Sequence, residues 1–344
     1  DTPETAIFPA GIIGHDGRRI AAVRIQRFDY RLFPSLCGEA MRQLGTPKDK
    51  PCDEDCAGEI ESKVAELFNA AFQKQIEALA AEKPDALIVD LAGNGGGTEW
   101  AEVALRMVTP VRVKSFEFGM VRHPHWVATM EKLDARLAEY EPQAKGADKA
   151  LIRARRRDIA AAIEALRQPC DTAPLWEGKK PGCSMLVKGV GSSAGIMSSA
   201  DPEAMRALPW GAALFEPAAY TFREGVWTGP LIVLVDQKTA SASEQVAGIL
   251  QANHAAVVMG APTLGAGCGY TWGGIETKLR NSGARVMIPD CVRFGPDGDD
   301  IGGVDPDVLV GFRPIEGRQR RIGRFMEALG AAVDAAEAQK KAAS

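Results

Sequence analysis

The sequence is poor in several residue types that mark common protein classes. Only four histidines occur among 344 residues, and none stands at metal-ligand spacing beside a pair of cysteines. No window holds about 18 uninterrupted apolar residues, so we expect no membrane span. Positive charge is not in excess, because the net charge is −4. This balance argues against a nucleic-acid partner, whose phosphates require a basic face. The composition, 46% apolar and 25% charged, is that of a globular protein.

The chain also lacks an initial methionine and a signal-like apolar segment. It begins at Asp1, so we expect a processed mature chain or an expression fragment.

Seven cysteines are more than a cytosolic hydrolase usually needs. Four of them lie in two polar or proline-rich loops, which favours disulfides formed in an oxidising compartment. A zinc site is the alternative for these loops. The candidate pairs are Cys52 with Cys56, Cys170 with Cys183, and Cys268 with Cys291 near the candidate site described below. The odd cysteine stays free, and we expect a periplasmic or secreted protein.

Apolar spacing predicts an α/β fold. Residues 58–82 have the period of an amphipathic helix, and residues 86–92 form a continuous apolar run of the buried-strand type. This alternation of helix and strand predicts a mostly parallel sheet covered by helices. The other expected elements are strands at 19–27, 230–236 and 255–259, helices at 98–107, 241–252 and 317–340, and a hairpin around Asn281-Ser282-Gly283.

Residues 126–168 interrupt this alternation. They carry two apolar stripes at helical spacing on either side of Gly146, which predicts an inserted helical hairpin. Residues 170–210 are rich in Gly, Ser and Pro, and we expect little regular structure there. The predicted divisions are 1–125 for the first part of the core, 126–168 for the hairpin, 169–227 for an irregular region, 228–316 for the second part of the core and 317–344 for a helix and tail.

Ser241 stands where a predicted strand meets a predicted helix. Ser241-Ala-Ser-Glu244 fits a capping box, in which the side chains of Ser241 and Glu244 satisfy the first backbone amides of the helix. A nucleophilic serine favours the same place, because the turn exposes its hydroxyl and the helix dipole stabilises negative charge. The local pattern leaves both interpretations open.

A glycine-rich loop follows the strand at 86–92. Gly95, Gly96 and Gly97 allow backbone amides to approach a ligand closely. A phosphate loop is the obvious alternative, but neither Gly-Lys-Ser/Thr nor Gly-x-Gly-x-x-Gly is present. The loop together with Ser241 is more typical of acyl-transfer chemistry.

Four motifs together resemble those of the C-terminal processing peptidases, or tail-specific proteases, and of their tricorn-core and chlamydial-protease-like relatives. The similarity covers roughly residues 17–28, 84–110 and 228–310. The four motifs stand in the family's order. They are VDLAGNGGG (89–97), LVDQKTASASEQVAGILQ (234–251), MGAPTLGAG (259–267) and GGVDPDVLV (302–310).

The resemblance implies a serine endopeptidase with a Clp-protease/crotonase-like core. It implies that Ser241 is the nucleophile and that the amides of Gly96 and Ala242 form the oxyanion hole. Peptide or protein substrates would add as a strand beside the site. Neither a cofactor nor a metal is implied.

The general base is where the sequence departs from the family. Processing peptidases have a lysine at the position of Ala266, and alanine cannot accept a proton. The other relatives use Ser, His and an acid, and their acid matches Asp300. The base is then a histidine upstream of Asp1, or His15, or a lysine that Ala266 has replaced.

The other three histidines fit the base less well. His254 is thirteen residues beyond Ser241 on one predicted helix, about 20 Å along its axis. His123 and His125 open the hairpin, where a place at the rim of the site is expected.

Two further functions stay open. The absent base leaves room for a peptide-binding pseudo-protease, and the glycine-rich loop also fits a crotonase-like acyl-CoA enzyme.

Overall fold

The structure is a computed structural model that describes residues 6–46, 52–268, 277–298, 301–311 and 315–342. The strands are β1 (Ala10–His15), β2 (Arg18–Arg24), β3 (Ala86–Asp90), β4 (Glu117–Val121), β5 (Leu186–Ser192), β6 (Leu231–Val235), β7 (Val257–Gly260), β8 (Thr277–Lys278), β9 (Arg285–Val286), β10 (Cys291–Phe294) and β11 (Val308–Leu309). The helices are α1 (Pro34–Leu44), α2 (Glu54–Ala81), α3 (Trp100–Met107), α4 (Pro124–Tyr140), α5 (Gly146–Arg167), α6 (Ala173–Trp176), α7 (Pro202–Arg206), α8 (Gly211–Leu214), α9 (Ala242–Ala252) and α10 (Arg318–Ala342).

The chain divides into two compact units. The first takes residues Asp1–Lys114, Tyr220–Gly265 and Gly303–Ser344, and the second takes Ser115–Ala219 and Ala266–Gly302. The first unit holds a six-stranded sheet in the order β1-β2-β3-β6-β7-β11. Only β1 runs antiparallel to its neighbour, and all the other pairs are parallel. The predicted mostly parallel sheet covered by helices is therefore confirmed.

Continuous apolar segments build this sheet and its helical cover. Every residue of β3 before Asp90 is buried, and β6 is almost as fully buried. The α9 residues from Ala242 to Leu250 are buried all round, as in a helix at the centre of a core. One face of the sheet packs on the apolar stripe of α10 at Leu329, Ala332, Val333 and Ala336. Aromatic rings from Phe8, Phe28, Phe68, Phe72 and Trp100 form another part of this core.

The second unit combines a small sheet with a pair of long helices. The sheet is antiparallel in the order β10-β4-β5, and β8 and β9 form the predicted hairpin. Helices α4 and α5 pack on each other over residues 124–167. Ion pairs at 2.8 Å and 2.7 Å join Arg156 to Asp134 and Glu141, and Arg153 pairs with Glu141 at 2.6 Å. Ion pairs of Arg153 and Arg156 thus join α5 to α4 and to Glu141, which follows α4.

Two local expectations were wrong. The region 169–227 was expected to be irregular, yet residues 186–192 form β5, one of the two edge strands of the small sheet. Its two glycines weaken the period-2 signal, and its pairing with β4 supplies the stability that local sequence lacks. The first strand was expected at 19–27. An earlier strand, β1, precedes it and ends at His15, and Asp16-Gly17 makes the turn to β2.

All three predicted cysteine pairs are bonded. The disulfides join Cys52 to Cys56, Cys170 to Cys183 and Cys268 to Cys291, and Cys37 is free and exposed. Because the sulfurs are bonded to each other, the zinc alternative for the two loops is wrong. Among the described helices, none has both the length and the apolarity needed to cross a bilayer.

Candidate active site

The turn between β6 and α9 holds Ser241 in an unusual backbone conformation. Ser241 has φ 53° and ψ −119°, a region that costs a non-glycine residue about 1–3 kcal/mol. The preceding turn is tied by Asp236, whose Oδ1 accepts from the N–H groups of Lys238 and Thr239 at 3.0 Å. Thr239 in turn donates its hydroxyl to the carbonyl of Leu91 at 3.0 Å. The strained serine is therefore held from the strand side by fixed hydrogen bonds.

Glu244 holds the same turn from the helix side. Its carboxylate is only 3% exposed, and its Oε2 accepts from the N–H of Ser241 at 2.7 Å. Its Oε1 accepts from the hydroxyl of Thr263 at 2.7 Å and from the N–H of Gly265 at 2.6 Å. This is the Glu half of the predicted capping box, extended to a second loop. The cap and the nucleophile interpretations of the motif are thus compatible, since Glu244 caps the helix while it fixes Ser241.

The glycine loop approaches Ser241 closely. A Cβ on Gly96 would lie 2.8 Å from the Ser241 Cβ and 2.9 Å from the Ala242 nitrogen, and Gly96 has φ 97°. No other residue type fits there without displacing the backbone. The structure therefore brings Ser241, Gly96 and Ala242 together, as the sequence motifs require. Their catalytic roles stay predictions.

Asn94 fixes the shape of the glycine loop. This residue is 1% exposed, its Oδ1 accepts from the N–H of Gly96 at 2.9 Å, and its Nδ2 donates to the carbonyl of Ile25 at 2.8 Å. Its carbonyl also accepts from the N–H of Ala240 at 3.0 Å. Because the N–H of Gly96 already has an acceptor, a role in an oxyanion hole requires it to exchange Asn94 Oδ1 for the substrate oxygen.

Arg24 is a residue of this region that lies outside the four sequence motifs. Its guanidinium comes from the neighbouring strand β2. Arg24 pairs with Asp90 at 2.9 Å and donates to the carbonyl of Ala92 at 2.9 Å. Burial raises the pKa of Asp90, and the charge of Arg24 opposes that shift. No signal within β2 alone identifies this partner, because the pairing of β2 with β3 brings the two side chains together.

The histidines of the first unit lie away from Ser241. Ser241 and the glycine loop follow the carboxyl ends of β6 and β3, whereas His15 pairs with Arg18 at the amino end of β2. The five-residue strands separate these two edges by about 15 Å. His254 follows the far end of α9. Of the three alternatives for the base, this geometry does not support His15.

The remaining histidines belong to the second unit. His125 Nε2 lies 2.9 Å from Asp290 Oδ2, and His125 Nδ1 lies 2.6 Å from His123 Nδ1. Burial lowers the pKa of His125, Asp290 opposes this shift and His123 adds to it. Asp300 lies outside the described residues, so its role as the acid stays a prediction. Within the described part of the chain, no group of three or more His, Cys, Asp or Glu side chains is arranged to hold a metal ion.

Comparisons with known proteins identify the family of the chain. The chain matches the family model of Peptidase family S41 over residues 57–310, which is more than half of its length. Among solved structures, mature CPAF is 14% identical with a TM-score of 0.52, and the match covers 95% of this chain and 55% of CPAF. The photosystem II D1 C-terminal processing protease is 18% identical with a TM-score of 0.38, covering 94% of this chain and 50% of that protein.

At these identities the structural likeness describes the fold. The chain spans about half the length of the solved structures that it matches. No curated protein sequence matches it significantly. The family model carries the assignment, and the chain belongs to Peptidase family S41.

Proposed function

We propose that this chain carries the nucleophile and the oxyanion donors of a serine endopeptidase that hydrolyses peptide bonds in peptides or proteins. The observation that supports this most is the place of Ser241, half-buried at positive φ at the start of the buried helix α9, with Gly96 packed against it. Such a turn presents the hydroxyl and the neighbouring amides to one point in space.

In the proposed reaction, Ser241 Oγ attacks the carbonyl carbon of the scissile bond. The N–H groups of Ala242 and Gly96 stabilise the negative oxygen that forms. The serine proton passes to a histidine, which Asp300 orients and which then protonates the leaving amine as the C–N bond breaks. Water, deprotonated by the same histidine, then hydrolyses the ester on Ser241 and releases the new carboxyl end. We propose that this histidine comes from a segment upstream of Asp1, because neither histidine described in the first unit lies near Ser241.

We further propose that the protein works in the periplasm or outside the cell. Three disulfides support this location, because cytosolic thiols are kept reduced.

Labelling with a fluorophosphonate tests the nucleophile. We expect the label on Ser241 and its loss in Ser241→Ala, with a stability change of only about 1 kcal/mol. Ser243→Ala is the matched control, because Ser243 lies two residues away in the same motif but is fully buried. It should label as the unmodified chain does. Labelling of Ser241→Ala at the unmodified rate would contradict the proposal.

A second candidate function is peptide binding without cleavage. Ala266 favours it, because the lysine that related peptidases use as the base is missing at that position. A chain that binds peptides but never labels, even with the upstream segment restored, would establish this alternative.

A further inference from the structure

The segment that follows β2 is fastened along the glycine loop. The N–H of Ile25 donates to the carbonyl of Asp90 at 3.1 Å, and the N–H of Phe28 donates to the carbonyl of Gly96 at 3.2 Å. The carbonyl of Phe28 accepts from the N–H of Thr98 at 2.7 Å. Ile25 and Phe28 are buried, at 1% and 0% exposure. The backbone of Arg27, which lies between them, is therefore fixed relative to the loop.

The side chain of Arg27 lies on the glycine loop and is exposed. Its Nη1 is 2.7 Å from the point that a Cβ on Gly95 would occupy, so the guanidinium rests where this glycine has no side chain. Across the described residues, Arg27 has no ion-pair partner. The arginines nearest to it in the sequence do have ion-pair partners, since Arg24 pairs with Asp90 and Arg31 pairs with Asp29 at 2.8 Å.

The guanidinium is close to the proposed nucleophile. Arg27 Nη1 contacts the Cβ position of Gly95, and the Ser241 Cβ contacts the Cβ position of the adjacent Gly96. Together with the spacing of neighbouring Cα atoms, these two contacts place Arg27 Nη1 within about 12 Å of the Ser241 Cβ. An extended peptide advances about 3.3 Å per residue, so this distance spans roughly three residues. A peptide bound at Ser241 therefore has residues within reach of Arg27.

The nearby carboxylates are already engaged. Asp90 binds Arg24 and the N–H of Ala92, and Asp236 accepts from the N–H of Gly93 at 2.8 Å as well as from its own turn. A planar guanidinium binds carboxylates through two parallel hydrogen bonds, which makes them its best-matched ligands.

We propose that Arg27 is a substrate-binding residue that binds a carboxylate of the peptide within about three residues of the scissile bond. This inference rests on the proposed function, and it adds a preference for acidic peptides. The carboxylate is either a Glu or Asp side chain or the C-terminus of the peptide.

Binding to Ser241→Ala chain tests the inference without requiring turnover. Short fluorescent peptides of one uncharged sequence carry Glu or Gln at successive positions, and each is made as the free acid and as the terminal amide. We expect Glu at one position, or the free acid, to bind about fivefold to tenfold more tightly than its neutral counterpart. Arg27→Gln should abolish this ratio, and Arg27→Glu should invert it toward peptides with Lys at that position.

Arg31→Gln is the matched control, since it removes an exposed arginine that already has a partner. It should leave the ratio unchanged. Equal affinities for charged and neutral peptides, or an absence of peptide binding, would overturn the inference. Fluorophosphonate labelling of the chain with the upstream segment restored is measured alongside, and its failure would contradict the proposed function whatever the charge preference.

Discussion

Glu244 connects three donors from two loops through one buried carboxylate. In Glu244→Gln, one acceptor oxygen becomes an NH2 group that faces another donor, so at least one hydrogen bond is lost in a buried place. We expect the free energy of unfolding to fall by about 1–3 kcal/mol. Labelling of Ser241 should also slow, because the turn loses its helix-side anchor. Urea denaturation and labelling rates measure the two effects.

The control for Glu244 is Glu66→Gln on α2. Glu66 is an exposed partner of Lys63, so its loss should change stability by less than about 1 kcal/mol. Equal stability and equal labelling for Glu244→Gln and the unmodified chain would show that the carboxylate does not fix the turn.

Gly96 is a position that tolerates no side chain. Gly96→Ala would bring a Cβ within 2.8 Å of the Ala240 carbonyl and the Ser241 Cβ, at φ 97°. We expect a marked loss of stability and of Ser241 labelling, measured by thermal unfolding and fluorophosphonate kinetics. Gly58→Ala is the matched control, because its Cβ would meet no atom within 4 Å inside α2. That variant should gain about 0.5–1 kcal/mol, and a similar result for Gly96→Ala would contradict the close approach.

Helix α4 begins at a pair of histidines that makes the second unit sensitive to pH. Burial lowers the pKa of His125 below 6.5, so on acidification the unfolded chain takes up this proton before the folded chain does. The stability from neutral His125 is therefore present above pH 6.5 and is lost as pH falls from 6.5 toward the lower folded pKa.

We expect the stability difference between the unmodified chain and His125→Gln to shrink over this pH range, as measured by denaturation at a series of pH values. Thr129→Val removes a 2.8 Å hydrogen bond to the His125 carbonyl on the same helix and does not titrate. Its stability difference should stay constant with pH. A constant difference for His125→Gln as well would contradict the lowered pKa.

The elements that could be predicted are those whose signal is local. β3 and β6 are continuous apolar runs, and α2 and α9 begin at recognisable caps. β5 was missed because its stability comes from pairing with β4, which is distant in sequence. The site follows the same rule. The motifs placed Ser241 and Gly96 together, whereas the contacts of Arg24 and Arg27 depend on how β2 and the segment after it lie beside β3 and the glycine loop.

The two histidines described in the first unit both lie away from Ser241. His15 lies at the opposite edge of the sheet, and His254 follows the opposite end of α9. The chain also spans only 55% of mature CPAF. A serine hydroxyl is a weak nucleophile until a neighbouring group removes its proton. We therefore expect the isolated chain to label slowly with fluorophosphonate.

Added imidazole can then replace the histidine side chain that we propose as the base. We expect the labelling rate of the isolated chain to rise with imidazole concentration, and to rise most above the pKa of imidazole, where the free base predominates. Restoring the upstream segment should raise the rate without imidazole. Ser241→Ala is the control, and it should not label under either condition. Fast labelling of the isolated chain that imidazole does not change would mean that a base within this chain already serves Ser241.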